Sequence, residues 1–391
     1  MNPLAVYIHF PYCLYKCHYC DFNSYPVEWS GELESSYLKT LNREVDLASR
    51  TLPPFRITSV FLGGGTPSLF SPEAIEAVLK KLAEKSSFSE DCEVTIEMNP
   101  KTVTFEKLKG FMSAGVTRFS LGVQSFEDRY LAPLGRLHTG EEALQAIEGL
   151  QKAGIENYNL DLMFGFPHQT VSEVLEDLRK AVAPGPRHLS FYNLTLEEGT
   201  LLYDQHKKGK ICLPENEIQA EMYERGLQFL EEKGYGAYEI SNFSKSSPSR
   251  HNLAYWRYED YLGLGAGAVS FLRASWFAKG ENESVYGYRW TNPRTPKEYG
   301  KAVEGPWPFS PFETIERKTA PGEFWMMGLR LKEGVDLAEL EKRFGKGSRE
   351  IYAPILYAFE KKGWMEREGE WARLTSRGRM LANEVVSGFL L

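Results

Sequence analysis

The chain has 391 residues, of which 42% are hydrophobic and 25% are charged, and its formal net charge is −7. These values are typical of a globular protein with more than one compact core. Negative charge argues against general binding to nucleic acid or anionic membranes, which need clustered positive charge. No apolar run is long enough to span a bilayer, and the first residues lack the basic start and cleavage site of a signal peptide. We therefore expect a cytoplasmic protein with no nucleic-acid partner and no integral membrane segment.

Short β-rich runs alternate with amphipathic segments from Pro3 to about residue 243. The runs are LAVYIHF, RITSVFLG, CEVTIEMN, TRFSLGVQ, NYNLDLMFG and HLSFYNLT. Helical spacing lies between them, for example over Pro72–Glu84, where Ser71 is a candidate cap, and over Glu106–Ala114. Strands that alternate with helices indicate βαβ units and a parallel sheet. Six such units predict an α/β fold, a partial (β/α)6 TIM-like barrel over residues 1–234.

Two further regions follow the predicted barrel. Residues 235–311 are rich in glycine, serine and aromatic residues, and we expect an extension that packs on the barrel. Residues 312–391 begin with predicted helices at Glu323–Leu331, Leu337–Phe344 and Ile351–Lys362. Two short strands around a Glu-Gly turn come next, in the segment WMEREGEWARLT. This order predicts a small α+β domain that resembles a winged helix.

Three cysteines, Cys13, Cys17 and Cys20, follow the first predicted strand with the spacing C-x3-C-x2-C. Thiolates suit soft metals and iron–sulfur clusters. Three of them can hold a [4Fe–4S] cube, but they leave one iron without a protein ligand and therefore open. Three ordinary buried thiols are one alternative, and structural zinc is another, although this spacing is not a standard one for zinc. Zinc would take its fourth ligand from His18, Cys92 or Cys212.

Polar residues gather where the predicted strands end, which is where barrel folds carry their functional groups. They are Gly64, Gly65 and Thr66 after strand two, Glu97 after strand three, Gln124 after strand four, Asp161 on strand five and Thr195 after strand six. Strand alternation places Asp161 inside the barrel, where a carboxylate needs a hydrogen-bonding partner. Taken singly, each residue also fits a tight turn, a solvated group or an ion pair. Together with Arg136 they supply acceptors for an amine and hydroxyls, and a cation for a carboxylate.

These motifs resemble those of the radical S-adenosylmethionine superfamily, in particular the cysteine loop, GGGTPS, E-x-N-P and LGVQSF. LGRLH, NLDLMFGFPHQT, YNLTLEEGT, SRHNLAYW and YLGLGAGAVS are similar to the oxygen-independent coproporphyrinogen III oxidase family. The C-terminal segments GLRLKEGVDLAELEKRFG and RLTSRGRMLANEV continue this similarity, which covers nearly the whole chain. His168 departs from the usual GLPGQT and affects no predicted ligand.

Two features resemble the heme chaperone (HemW) subfamily of that family. Phe22 stands where the oxidase carries a further cysteine, and the signature H-N-x-x-Y-W occurs at residues 251–256. The resemblance implies a chaperone that binds heme and transfers it to acceptor proteins, such as respiratory hemoproteins, without oxidase activity. It implies three cofactors: a [4Fe–4S] cluster, S-adenosylmethionine and heme. An electron donor is a further implied partner.

The resemblance also implies residues for the cluster and for S-adenosylmethionine, but it does not name the heme ligand, and it assigns no catalytic residue. The cluster ligands are the three cysteines of the loop. Contacts to S-adenosylmethionine are expected at Tyr7, Tyr19, Gly64, Gly65, Thr66, Glu97, Gln124, Arg136, Asp161 and Thr195. The hypothesis for heme uses His251, Asn252, Tyr255 and Trp256, since imidazole can ligate heme iron and aromatic rings can stack on the macrocycle. The alternative for His251 is a hydrogen-bonded structural histidine.

Two enzymatic functions remain as alternatives to the chaperone. One is an oxygen-independent coproporphyrinogen III oxidase, a radical enzyme that decarboxylates propionates oxidatively. Phe22 and the H-N-x-x-Y-W segment count against it. The other is a radical enzyme that acts on an unrelated substrate.

Overall fold

The computed structural model describes residues 1–277 and 284–390. Its strands within these ranges are β1 (Asn2–Phe10), β2 (Tyr12–Cys13), β3 (Tyr25–Pro26), β4 (Phe55–Gly64), β5 (Ser87–Met98), β6 (Arg118–Gln124), β7 (Tyr158–Phe164), β8 (His188–Asn193), β9 (Gly236–Ala237), β10 (Asn242–Ser244), β11 (Tyr261–Leu264), β12 (Val269–Arg273), β13 (Val285–Thr291), β14 (Glu313–Glu316), β15 (Val335–Asp336), β16 (Met365–Glu368) and β17 (Trp371–Leu374).

The helices of the same ranges are α1 (Gly31–Thr51), α2 (Pro72–Lys85), α3 (Phe105–Ser113), α4 (Asp128–Leu131), α5 (Gly140–Lys152), α6 (Val171–Val182), α7 (Leu201–Lys207), α8 (Asn216–Glu232), α9 (Arg250–Trp256), α10 (Pro296–Ala302), α11 (Ala320–Gly328), α12 (Leu337–Phe344), α13 (Ser348–Lys361), α14 (Ser376–Met380) and α15 (Ala382–Ser387). None of the helices in the described ranges has the length and hydropathy needed to cross a membrane.

Six parallel strands form the centre of the large sheet, in the order β1-β4-β5-β6-β7-β8. Each is one of the six predicted runs, and the apolar faces that they turn towards the helices form one continuous core with those helices. Local signals set the helix ends: the Ser71 hydroxyl accepts a hydrogen bond from the Ala74 amide at 3.2 Å, as its position before Pro72 predicts. The α/β fold with a parallel sheet is therefore confirmed.

Strands from the second region lengthen this sheet at both edges, which the sequence did not reveal. β11 pairs in parallel with β1, with Ala5 opposite Tyr261 and Ile8 opposite Leu264, and β12 and β13 continue outwards as antiparallel strands. β14, which lies just beyond this region, pairs antiparallel with β13 and ends this edge of the sheet. At the other edge, β10 pairs antiparallel with β8, and β9 follows it. The segment is thus hydrogen-bonded into the sheet of twelve strands, whereas we expected it to pack on a finished barrel.

The C-terminal helices have a separate core and a small sheet of their own, in the order β15-β17-β16. Trp325 of α11 and Phe389 are fully buried there, with their rings stacked 4.4 Å apart. α12, α13 and the hairpin β16–β17 lie close to their predicted positions, and α11 begins three residues earlier than expected. A small α+β unit of this kind agrees with the predicted fold class.

Candidate functional site

The cysteine loop is fixed at the carboxyl end of β1 by the short parallel pair β2 and β3. The Tyr25 amide donates to the carbonyl of Pro11 at 2.7 Å, and the Val27 amide donates to the carbonyl of Cys13 at 2.9 Å. These bonds close the loop on itself, and its three thiols line one cavity at the mouth of the barrel. A loop closed in this way keeps the three cysteines on one short segment of chain.

The glycine-rich segment after β4 holds this loop in place. The Gly65 amide donates to the carbonyl of Phe10 at 2.7 Å, and the Thr66 amide donates to the carbonyl of Tyr12 at 2.8 Å. The Thr66 hydroxyl also donates towards Cys13 Sγ at 3.4 Å. The amides of Gly64, Gly65 and Thr66 are therefore bonded within the protein, which agrees with the turn interpretation of the triple glycine.

The cavity has a volume of about 610 Å³, within the range of small-molecule and cofactor sites. Its walls contain the three cysteines and nine of the ten residues expected to contact S-adenosylmethionine: Tyr19, Gly64, Gly65, Thr66, Glu97, Gln124, Arg136, Asp161 and Thr195. The tenth, Tyr7, is not part of the walls, and its hydroxyl lies 2.9 Å from Nδ1 of His9. The fold thus brings together residues that are up to 182 positions apart, from Cys13 to Thr195.

Two buried carboxyl groups, those of Glu97 and Asp161, line the cavity. Burial, followed by the charge of Asp161, raises the pKa of Glu97 to about 8, while the Gly64 amide donates to it at 3.0 Å. Burial also raises the pKa of Asp161, whose oxygens accept from Asn159 at 2.7 Å and Ser120 at 3.2 Å. The predicted inward carboxylate and its hydrogen-bonding partners are confirmed for Asp161.

Arg136 and Gln124 lie on the next part of the cavity wall. Arg136 donates to the carbonyl of Gly122 at 2.6 Å and towards Cys17 Sγ at 3.7 Å, and its buried Nε has no partner. Gln124 accepts from the Tyr192 hydroxyl at 2.6 Å and has a φ of 68°, in the left-handed region, at a β-bulge between β6 and β7. Such strain in a non-glycine residue is common at functional sites, where a bulge re-aims a side chain.

The donor set fits an iron–sulfur cluster. Three soft thiols line one cavity, and Thr66 and Arg136 direct a hydroxyl and a guanidinium at two of the sulfurs, as hydrogen-bond donors do at cluster sulfurs. Thiols that share a cube stand further apart than those that share one ion. Within residues 1–277 and 284–390, no three His, Cys, Asp or Glu side chains are arranged to hold a single metal ion. The geometry therefore gives no support to structural zinc.

The H-N-x-x-Y-W segment forms α9, which lies at the opposite end of the barrel from the cysteine loop. Both ring nitrogens of His251 are hydrogen-bonded. The hydroxyl of Ser59 on β4 lies 2.9 Å from Nδ1, and the hydroxyl of Tyr255 lies 3.2 Å from Nε2. His251 is 1% exposed, and burial lowers its pKa to about 3. Trp256 lies under the guanidinium of Arg330 at 4.6 Å. Of the four heme candidates, only Asn252 reaches the cavity.

Other side chains of the cavity wall were not identified from the sequence. They include Thr95 on β5, Arg118 and Ser120 on β6, Asn159 on β7, and His188, Ser190 and Tyr192 on β8. The signal that would have found those on β5, β6 and β7 is strand alternation, because each shares a face with a residue that was identified. Arg118 and Ser120, for example, alternate in step with Gln124 along β6. The three on β8 alternate out of step with Thr195, so this signal would have missed them.

Fold and cavity together define a radical S-adenosylmethionine protein, a class whose cofactors are a [4Fe–4S] cluster and S-adenosylmethionine. Residues 7–181 match the family model of the Radical SAM superfamily, and residues 315–381 match that of the HemN C-terminal domain. The solved structure of coproporphyrinogen III oxidase (HemN) from Escherichia coli superimposes with a TM-score of 0.81 at 21% identity, covering 100% of this chain and 90% of that one. This last similarity is one of fold.

Relatives with higher sequence identity to this chain show which family it belongs to. The heme chaperone HemW of Haemophilus influenzae is 36% identical over 395 residues, covering 100% of this chain and 98% of that protein. The heme chaperone HemW of Escherichia coli K12 is 34% identical over 394 residues, with 100% and 99% coverage. The chain belongs to the HemW family.

Proposed function

We propose that this protein is a heme chaperone, which binds heme and passes it to acceptor proteins, with a [4Fe–4S] cluster and S-adenosylmethionine bound at the mouth of its barrel. The observation that carries the proposal is similarity to HemW proteins over the whole chain at 34–36% identity. Phe22, in the place of the oxidase's additional cysteine, supports the same function.

The proposed cluster ligands are Cys13, Cys17 and Cys20, which leave one iron open to the amine and carboxylate of S-adenosylmethionine. A bound, reduced cluster would supply an electron that could cleave the sulfonium. The protein's own part is to bind and orient that cofactor. Glu97 and Asp161 offer oxygen acceptors to its cationic and hydroxyl groups, and Arg136 offers a cation for its carboxylate.

Heme is proposed to bind at α9, with His251 as the candidate axial ligand. In this structure both ring nitrogens are hydrogen-bonded, so coordination requires the bond to Ser59 or the bond to Tyr255 to break. The lowered pKa of the ring suits this role, since a metal ligand must be the neutral imidazole.

Heme titration of cluster-loaded protein tests the proposal. We expect wild type to show a saturable Soret band at one heme per chain and to pass that heme to an apo-hemoprotein. His251→Ala is expected to change the band, whereas His206→Ala is the control, because His206 is exposed. An unchanged band in His251→Ala excludes that ligand alone, whereas wild type without saturable heme binding contradicts the chaperone function.

An anaerobic assay separates the chaperone from the oxidase. With a strong reductant, S-adenosylmethionine and coproporphyrinogen III, we expect no protoporphyrinogen. Its formation would contradict the proposal and favour the radical decarboxylase. Release of 5′-deoxyadenosine that depends on an added substrate, in protein without heme affinity, would instead indicate a radical enzyme with another substrate.

A further inference from the structure

The inner end of the barrel cavity, away from the cysteine loop, has a polar floor. Arg118, the first residue of β6, lies opposite Thr95 of β5 in the sheet register, and both side chains line the cavity. Asn252 of α9 closes the same end and donates to the hydroxyl of Tyr238 at 3.4 Å. We call Thr95, Arg118 and Asn252 the cavity floor.

Arg118 is a buried cation that forms no close salt bridge. It is 3% exposed, and no carboxylate of residues 1–277 or 284–390 pairs with its guanidinium within 4 Å, although its charge acts on Asp161 from further away. Its Nη1 has no hydrogen-bond partner. Thr95 is fully buried, and its hydroxyl also lacks a partner. Two unsatisfied donors on neighbouring strands are costly, since buried polar groups are normally hydrogen-bonded and buried charges are normally paired.

Two carboxyl groups close to Arg118 in the sheet, those of Asp161 and Glu93, accept hydrogen bonds from other donors. Asp161 accepts from Asn159 and Ser120, and the charge of Arg118 acts on it only from beyond salt-bridge distance. Glu93 accepts from the Ser249 hydroxyl at 3.2 Å and from the Arg250 amide at 3.0 Å, at the start of α9. Arg118 therefore makes no close contact with a carboxylate of the described residues, and its Nη1 can donate to a ligand that enters the cavity.

We propose that the cavity floor is a carboxylate-binding subsite, in which Arg118 and Thr95 donate hydrogen bonds to the carboxylate of a ligand. The subsite differs from the Arg136 position at the mouth, which stands beside Cys17. Its chemistry is shared by two sources: a propionate group of a tetrapyrrole, and a small organic acid. The inference goes beyond the proposed function, because the second source does not involve heme.

Guanidinium and hydroxyl donors together favour a carboxylate because its two oxygens can accept from both at once. Arginine binds such groups through a planar fork of donors, which gives geometric specificity. A hydrogen bond to a charged group is worth about 1.5–3 kcal/mol, so removal of Arg118 is expected to weaken binding by about tenfold or more.

Paired ligands test the proposal in cluster-loaded protein with S-adenosylmethionine present. Sodium propionate is compared with propionamide by thermal shift at constant ionic strength, and hemin is compared with its dimethyl ester by absorbance titration. Each ligand is tested with wild type, Arg118→Met and the control Arg225→Met, since Arg225 is exposed on α8. We expect the charged member of at least one pair to bind about tenfold more tightly in wild type and in Arg225→Met, but not in Arg118→Met.

The two arms identify the source. A preference for propionate alone indicates a small acid, and a preference for hemin over its ester indicates a tetrapyrrole propionate. No preference in either arm overturns the subsite, as does a preference that Arg118→Met retains. Weaker binding of S-adenosylmethionine as the sole effect of Arg118→Met also overturns it, because Arg118 would then serve that cofactor.

The Tm of the ligand-free protein distinguishes a binding role for Arg118 from a purely structural one. A binding residue with an unpaired buried charge destabilises the empty protein, so Arg118→Met is expected to raise the Tm of ligand-free protein. A lower Tm would instead show that Arg118 supports the fold, and would count against the subsite. Arg118→Lys, which keeps the charge but loses the fork, is expected to retain part of the carboxylate preference.

Discussion

A Cβ atom on Gly65 would lie 2.6 Å from the carbonyl oxygen of Tyr12. Gly65 follows β4 and Tyr12 begins the cysteine loop, so this contact sets how closely the loop packs on the barrel. Backbone atoms cannot move aside as the end of a flexible side chain can, and a substitution here must displace the loop.

Gly65→Ala is accordingly expected to reduce cluster loading. The added methyl displaces the backbone that carries Cys13, at a cost of about 1–3 kcal/mol for overpacking. Iron and acid-labile sulfide per chain after anaerobic reconstitution measure the effect. Gly300→Ala is the control, because its added Cβ would have open space. Full loading of Gly65→Ala would show that the loop does not depend on this contact.

The raised pKa of Glu97 predicts proton release when S-adenosylmethionine binds. With a pKa of about 8 in the free cavity, Glu97 is protonated at pH 7. The cationic cofactor favours the carboxylate and lowers this pKa, so about one proton should leave at pH 7 and almost none well above pH 8. Calorimetry in buffers of different ionisation enthalpy counts these protons.

Glu97→Gln isolates this contribution. The variant cannot release the proton, and it should release fewer protons than both wild type and Glu198→Gln, a control at an exposed position. Equal proton release in wild type and Glu97→Gln would assign the proton to another group, such as the amine of the cofactor.

Glu44 of α1 joins the first helix to the sheet extension. Its side chain is fully buried and accepts from the Gly265 amide and Asn292 at 2.7 Å, from the Tyr299 hydroxyl at 2.6 Å, and from the Trp307 indole at 3.4 Å. Burial raises its pKa to about 7, and these four donors act against that rise.

Glu44→Gln should lower the free energy of unfolding by about 1–3 kcal/mol. The amide nitrogen of glutamine would face donors where the carboxylate now accepts, which leaves buried groups unsatisfied. Urea unfolding at pH 7 measures the change. Glu148→Gln, at a solvent-exposed ion pair with Lys152, should stay within about 0.5 kcal/mol of wild type. A Glu44→Gln protein as stable as wild type would show that the network tolerates an amide.

His251 predicts a loss of stability in acid. Its folded-state pKa of about 3 lies below the ordinary value of 6.5, so the unfolded chain binds more protons between these two values. The contribution of His251 to the free energy of unfolding is complete above pH 6.5. It is lost as the pH falls towards 3, by up to about 1.4 kcal/mol per pH unit.

Unfolding at pH 7 and pH 5 checks this contribution. His251→Gln keeps a hydrogen-bonding side chain without titrating, and it should lose less stability than wild type on acidification. His206→Gln should behave as wild type, since His206 is exposed. If wild type and His251→Gln respond equally to pH, His251 is not buried as a neutral ring in solution.

Local signals in the amino-acid chain determined much of this structure. Alternation and helical spacing identified the six parallel strands and α2, and residues next to one another in the chain set the helix caps, as at Ser71. The cysteine spacing alone placed three thiols in one loop, because eight residues cannot separate them widely. Asp161 was placed inside the barrel for the same reason, since alternation is a property of a single strand.

Tertiary structure decided what depends on pairing between distant segments. β11 lies beside β1 more than 250 residues away, and this contact places α9 and its buried His251 at the floor of the barrel. The juxtaposition of Thr95 and Arg118 likewise follows from the register between two strands. A hydrophobic pattern shows which face of a strand is buried, but it does not show which strand lies next to it. Only the folded sheet therefore revealed the unpaired cation inside the cavity.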